Sequence, residues 1–252
     1  MLVANVEKIL LDKINEKGAI HMTLLDPQKI TPETCATIAE EAYKGGSSAI
    51  MVGGSTVASN SITDKAITLI KEKIDLPVIL FPNNISGISK HADAIWFMSL
   101  LNSRNTYYII DIHALTAPVI KKAGLEVLPL GYIIVGNGEA AGFIGDVRGI
   151  PLDQPNIAVG YSMAAEMLGM RYVYLEAGSG ARTPVPLDMI GAVKKCLSIP
   201  LIVGGGIRTG LAAAAAVNAG ADIIVTGNLV EETNRVRERI KDIVTHIESV
   251  RR

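Results

Sequence analysis

The feature that most constrains this chain is a succession of eight short, almost wholly apolar runs separated by longer segments of helical periodicity. The runs are AIHMTLLDP (19–27), AIMVGG (49–54), PVILFP (77–82), AIWFMSLL (94–101), LEVLPLGYIIV (125–135), RYVYLEAG (171–178), PLIVGGG (200–206) and DIIVTGN (222–228). A strand with one wet face alternates apolar and polar residues, whereas a strand covered on both faces by helices does not. The pattern therefore predicts a parallel sheet of eight strands wrapped by helices. Glycine-rich turns cluster after the last three strands, which suits a closed (β/α)8 barrel better than an open doubly wound sheet.

Helical periodicity is clearest over 31–44, 60–74, 105–123, 157–169, 186–197, 209–219 and 233–250, with starts predicted at Thr31-Pro32, Thr209 and Thr233. Only SGISKHAD (86–93) separates the third and fourth runs, so the third helix is expected to be short or lost. Ala212–Ala216 is expected to form a close-packing helix face. The segment 136–156 is too long for an ordinary βα connection and is expected to fold over the active face. A length of 252 residues with 49% hydrophobic side chains suits one barrel domain.

Charge excludes several functions. The 24 basic and 25 acidic residues nearly cancel, so there is no net electrostatic drive toward nucleic acid. Cys35 and Cys196 lie far apart without metal-ligand spacing, which points to neither a disulfide framework nor a zinc site and fits a reducing, cytoplasmic setting. The amino terminus carries charges at helical spacing, and no run reaches about 18 apolar residues. Neither a signal peptide nor a membrane span is predicted.

In a (β/α)8 barrel the carboxyl ends of the strands converge on one rim. Strand six ends in YLEAGSG (Tyr174, Leu175, Glu176, Ala177, Gly178, Ser179, Gly180), strand seven in Gly204, Gly205 and Gly206, and strand eight in Gly227 and Asn228 before a predicted short helix, NLVEE. Glycines let backbone N–H groups approach an oxyanion, and a helix start adds free donors. Any one glycine cluster is explained by tight turns alone; three on adjacent strands read as a phosphate cradle.

Strand one ends in Asp26 before Pro27, and strand two is followed by Ser55. A carboxylate and a hydroxyl completed by water and phosphate oxygens is the sparse oxygen shell Mg²⁺ takes, although Asp26 also suits a turn and Ser55 a helix cap. Glu176 is costly in a strand unless hydrogen-bonded or used, either as a general base or as an acceptor that orients a hydroxyl. Pairing with Arg171 or Arg182 is its structural alternative. His21 lies five residues before Asp26 and so on the opposite strand face. His91, His113 and His246 lack partners at metal spacing. Trp96, Phe97, Tyr172 and Tyr174 read as core, with a trough as the alternative.

Taken together, HMTLLDP, the GGS after strand two, YLEAGSG, the GGG turn and TGN resemble the geranylgeranylglyceryl phosphate and heptaprenylglyceryl phosphate synthase family across essentially the whole barrel. The resemblance implies transfer of a prenyl chain from geranylgeranyl diphosphate to the C3 hydroxyl of sn-glycerol 1-phosphate, with Mg²⁺ as cofactor. It implies that Asp26 and Ser55 hold the metal, that Tyr174 to Gly180, Gly204 to Gly206, Gly227 and Asn228 bind glycerol phosphate, and that Glu176 meets the glycerol hydroxyls. The family often shows an acidic residue where this chain has Gln28. That departure removes one negative charge near the metal. A lipid-like donor also implies a peripheral membrane contact and a homo-oligomer. A longer, heptaprenyl donor is the near alternative, with Trp96 as a bulky stop favouring the shorter one. A sugar-phosphate isomerase or aldolase on the same cradle is the further alternative, but none of the eight runs contains the lysine a Schiff base needs.

Overall fold

The structure, a computed structural model, describes residues 5–54, 59–231 and 233–250. All eight predicted strands form: β1 (Ile20–Leu25), β2 (Ala49–Gly53), β3 (Val78–Phe81), β4 (Ala94–Leu100), β5 (Glu126–Ile134), β6 (Tyr172–Glu176), β7 (Leu201–Gly204) and β8 (Ile223–Thr226). Each pairs in parallel with its sequence neighbours, and β8 returns to β1 through Ile20↔Ile223, so the sheet closes. The expected (β/α)8 barrel is thus the fold.

Alternation along each strand divides its side chains into two sets. Ile20, Met22, Met51, Ile79, Trp96 and Tyr172 point inward and fill the bore. The intervening residues, such as Ile50, Val52, Val173 and Leu175, pack outward beneath the helices. A helix that precedes the first strand, α1 (Val6–Lys17), plugs the amino-terminal end: Val6 and Leu10 belong to the bore cluster. Its exposed first-turn N–H groups are met by Glu126, whose carboxylate accepts from Val6 N at 2.6 Å and Glu7 N at 2.9 Å. An anion at a helix start is electrostatically favoured there.

The outer ring is α2 (Pro32–Gly45), α3 (Asn60–Lys71), α4 (Ile112–Ala123), α5 (Glu139–Ile144), α6 (Pro155–Met167), α7 (Leu187–Lys194), α8 (Gly210–Ala219), α9 (Asn228–Glu231) and α10 (Val236–Ser249). Thr31 and Thr209 cap α2 and α8 as expected, accepting from Thr34 N and Ala212 N. Thr233 does not start a helix; its hydroxyl accepts from Arg235 N in a turn, and α10 begins at Val236. In α8 the face buried toward the barrel is Ala213, Ala216 and Val217. Between β3 and β4 the ring is interrupted: a 3₁₀ turn, Ile85–Gly87, stands where a helix would cover the sheet. On the other side of that gap, α4 is entered through a π-turn, Tyr107–Asp111. Among the described residues no helix is long and apolar enough to cross a membrane.

Candidate active site

A cavity of about 330 Å³ opens at the carboxyl ends of the strands. It is polar on the side of β6 to β8, where Glu176, Ser179, Gly180, Gly205, Gly206 and Asn228 line it. It turns apolar toward the gap in the helix ring, where Ile88, Ile95, Phe97, Ile112, Thr116 and Ile120 form its walls. One continuous space therefore joins a glycine-rich rim to a hydrophobic groove.

Glu176 is the inward-facing last residue of β6, following Tyr172 and Tyr174 on the same face. Only 6% of it is exposed. Its Oε1 accepts from Gly178 N at 2.7 Å, and the hydroxyls of Tyr132 and Tyr174 donate to the carboxylate. Burial pushes the Glu176 carboxyl up, and these three donors pull it back. Burial first, and then the Glu176 charge, hold both phenols well above their usual range, so both stay protonated donors. The two tyrosine rings meet edge to face at 5.2 Å, and Phe81 packs on each of them. A rigid aromatic floor thus fixes the carboxylate.

The glycines beside it have steric reasons to be there. A Cβ at Gly205 would come within 2.6 Å of Glu176 Oε1, and its φ of +82° lies in the left-handed region. Across the rim, Ser179 Oγ donates to Asn228 Oδ1 at 2.6 Å, and Arg208 reaches Gly180 O at 3.4 Å. Gly227 also lines the cavity. Leu175 and Ala177 do not: their side chains lie in the layer between sheet and helices, and Ala177 N bonds Gly204 O. Gly178 and Gly204 act through backbone and space, as the donor to Glu176 and the site beside Tyr174.

On the β1 side, Asp26 lines the same cavity and is 4% exposed. Its Oδ1 accepts from Gln28 N at 3.0 Å, an Asx turn, so the turn role and the cavity position coincide. Burial pushes its carboxyl up, countered by that N–H and by Lys29. The other predicted metal residue, Ser55, lies outside the described residues. No group of three His, Cys, Asp or Glu residues that could hold a metal occurs among the described residues.

The remaining candidates separate clearly. Arg171 pairs with Glu7 at 2.6 Å, not with Glu176. His21 is buried outside the bore between Ser47 Oγ and Thr226 Oγ1, each at 2.9 Å, and burial pushes its imidazole down to about 3. His113, which lacks partners at metal spacing, is buried and lines the groove; its Nε2 donates to Met98 O at 2.8 Å and its ring meets Phe97 edge to face. Trp96, Phe97 and Tyr174 line the cavity, whereas Tyr172 is core. Cys35 is buried and Cys196 is exposed. Sequence reasoning missed Tyr132 and Arg208. The β5 to β6 register places Tyr132 beside Tyr174, and no local sequence pattern states that register.

The sequence profile of the PcrB family matches residues 11–247. The chain belongs to the PcrB family. This PcrB-family chain is 53% identical over 239 residues to the geranylgeranylglyceryl phosphate synthase of Methanothermobacter marburgensis, covering 95% of this chain and 97% of that one. Among solved structures, the (S)-3-O-geranylgeranylglyceryl phosphate synthase of Thermoplasma acidophilum, in complex with its substrate sn-glycerol-1-phosphate, superposes with a TM-score of 0.92 at 43% identity. That match covers 96% of this chain and 98% of the other. The Thermoplasma volcanium enzyme gives 0.94 at 40% identity, covering 98% of each chain. The PcrB membership agrees with the resemblance carried by YLEAGSG and its companion motifs.

Proposed function

We propose that this chain is a geranylgeranylglyceryl phosphate synthase, joining the C3 hydroxyl of sn-glycerol 1-phosphate to C1 of geranylgeranyl diphosphate. The observation that carries the reading is the setting of Glu176. A carboxylate offers about four acceptor directions. Gly178 N, Tyr132 and Tyr174 take three of them, which leaves one for a hydroxyl held at the glycine rim. The names borne by its PcrB-family relatives supply the substrates.

In the reaction the bond from C1 to the diphosphate oxygen breaks and its electron pair leaves with diphosphate. The glycerol oxygen bonds to C1, and its proton passes to the Glu176 carboxylate. A carboxyl raised by burial is the better base for this step, and the two tyrosines and Gly178 N oppose that rise by donating to its charged form. The rim of β6 to β8 orients the acceptor through its phosphate, while the apolar groove receives the prenyl chain.

Magnesium dependence belongs to the same proposal. Asp26 fits a hard cation: it is a single buried carboxylate facing the cavity, so a bound metal would complete its shell with diphosphate oxygens and water. Asp26 would hold the ion, with Ser55 the second metal residue that the family resemblance implies. Bound there, the ion would supply positive charge to the departing diphosphate.

The test is to incubate the purified protein with geranylgeranyl diphosphate, sn-glycerol 1-phosphate and Mg²⁺ and to look for the ether by mass spectrometry. The proposal expects ether product that falls sharply when sn-glycerol 3-phosphate replaces its enantiomer and when EDTA is added. Absence of ether in the complete mixture overturns the synthase reading. Undiminished rate in EDTA overturns the metal assignment.

A further inference from the structure

The segment after β5 folds back over the rim as a strap, and Ala140, Ala141, Ile144 and Gly145 of that strap line the cavity. It touches the acceptor side directly, since a Cβ at Gly178 would lie 2.6 Å from the Gly138 carbonyl carbon. What holds the strap down is the short loop after β4.

The β4 to β5 ladder ends at Leu100↔Tyr132. Beyond it the side chain of Asn102 continues the pairing as a strand peptide would, with Nδ2 donating to Ile134 O at 2.8 Å and Oδ1 accepting from Ile134 N at 3.1 Å. The same Nδ2 donates to Arg148 O at 3.0 Å, while the Asn102 carbonyl accepts from Arg148 N at 2.8 Å. Asn102 therefore ties the returning leg of the strap to the residue that pairs with Glu176 in the sheet, Ile134. It is 2% exposed, so these bonds are made away from solvent.

The neighbours of Asn102 work on the same leg. Ser103 Oγ donates to Gly145 O at 2.6 Å, Arg104 N donates to Asp146 O at 2.9 Å, and the Arg104 side chain pairs with Asp146. Two strap residues that are not glycine, Glu139 and Asp146, have φ of +50° and +45°. Such backbone is disfavoured and persists only where its surroundings over-determine it. Three consecutive residues of one loop meet that requirement for Asp146.

We propose that Asn102 is a positioning residue that latches the strap over the acceptor end of the cavity and so keeps water from C1 of the prenyl donor. The chemical part rests on the synthase reading. When the strap is loose, water takes the place of the glycerol hydroxyl: the same C1–O bond breaks, diphosphate leaves with the electron pair, and the product is geranylgeraniol with a proton released.

The test compares wild type with Asn102→Ala in two measurements. Amide hydrogen exchange over 137–150 is expected to quicken at least tenfold, with 172–176 and 201–204 unchanged. The share of consumed donor that appears as geranylgeraniol is expected to rise at least fivefold over the share appearing as ether. Unchanged exchange in the strap overturns the latch. Faster exchange with an unchanged alcohol share overturns the role in excluding water and leaves Asn102 a structural residue. If Asn102→Ala does not fold, Ser103→Ala, which removes the bond to Gly145, is read in the same two ways. If wild type makes no ether, it is the synthase reading that has failed, and the latch stands or falls on the exchange measurement.

Discussion

The Tyr174 hydroxyl occupies the space a side chain would need at Gly204: a Cβ there would lie 2.0 Å from the phenol oxygen. Because that phenol donates to Glu176, the glycine at the end of β7 protects a hydrogen bond on β6. Gly204→Ala must displace the ring and withdraw one of the three donors. We expect a fall in kcat of roughly tenfold or more, the scale of losing a hydrogen bond to a charged group, about 1.5–3 kcal/mol. Steady-state kinetics with circular dichroism checks it, and a normal kcat with a normal spectrum would mean that the ring can move freely.

Glu176→Gln keeps the shape and one acceptor oxygen but removes the base. Turnover should drop by about 10²-fold or more, the usual contribution of a positioned base. Circular dichroism should show the fold retained, because the side chain keeps its shape, although the amide NH2 now faces donors that the carboxylate satisfied. Near-normal turnover would reduce Glu176 to an orienting acceptor.

His21 predicts a specific pH response. Burial holds its folded-state value at about 3, far below the ordinary 6.5, so protons bind the unfolded chain first as the solution is acidified. Its contribution to stability is complete above pH 6.5 and is lost as pH falls from there toward 3. At 1.36 kcal/mol per pH unit, wild type should lose about 2 kcal/mol between pH 7 and 5 from this residue. Urea titrations at both pH values should show that loss diminished by a similar amount in His21→Gln. Equal losses in the two proteins would show that His21 titrates normally.

Trp96 is 1% exposed, packs edge to face on Tyr172 at 5.0 Å and lines the cavity. Replacing it with alanine enlarges the cavity beside the groove walls Ile95 and Phe97. We expect a stability cost of about 3–5 kcal/mol and acceptance of a heptaprenyl donor alongside the C20 donor. Product analysis with both diphosphates decides the matter; an unaltered preference in a folded variant would show that the limit on chain length lies elsewhere.

How much of this was legible beforehand varied with the physics of each part. Strands were found to within two residues at each end because parallel barrel strands are apolar on both faces and announce themselves locally. The loss of the third helix was equally plain, since SGISKHAD leaves no room for one. Thr233 misled because a Thr before a charged helix looks like a cap, and its hydroxyl does bond a backbone N–H, only in the preceding turn. The suggested Glu176–Arg171 pair fails on distance alone, as the two stand at opposite ends of β6, about 16 Å apart at strand rise. The role of Tyr132 required knowing the register of β5 on β6, which no local pattern states. Asn102 was hidden for the same reason: its partners lie 32 and 46 residues away in sequence. The helix α1 showed its charges at helical spacing but not its destination.

That destination has a consequence for ligand length. With Val6 and Leu10 stoppering the bore, a long apolar molecule that enters from the rim cannot thread through the barrel; it must bend sideways into the breach between β3 and α4. Head and tail are thereby handled by different parts of the chain. Residues of the 3₁₀ turn and α4 can therefore be exchanged to suit another tail without touching the glycine turns of β6 to β8, some strands away.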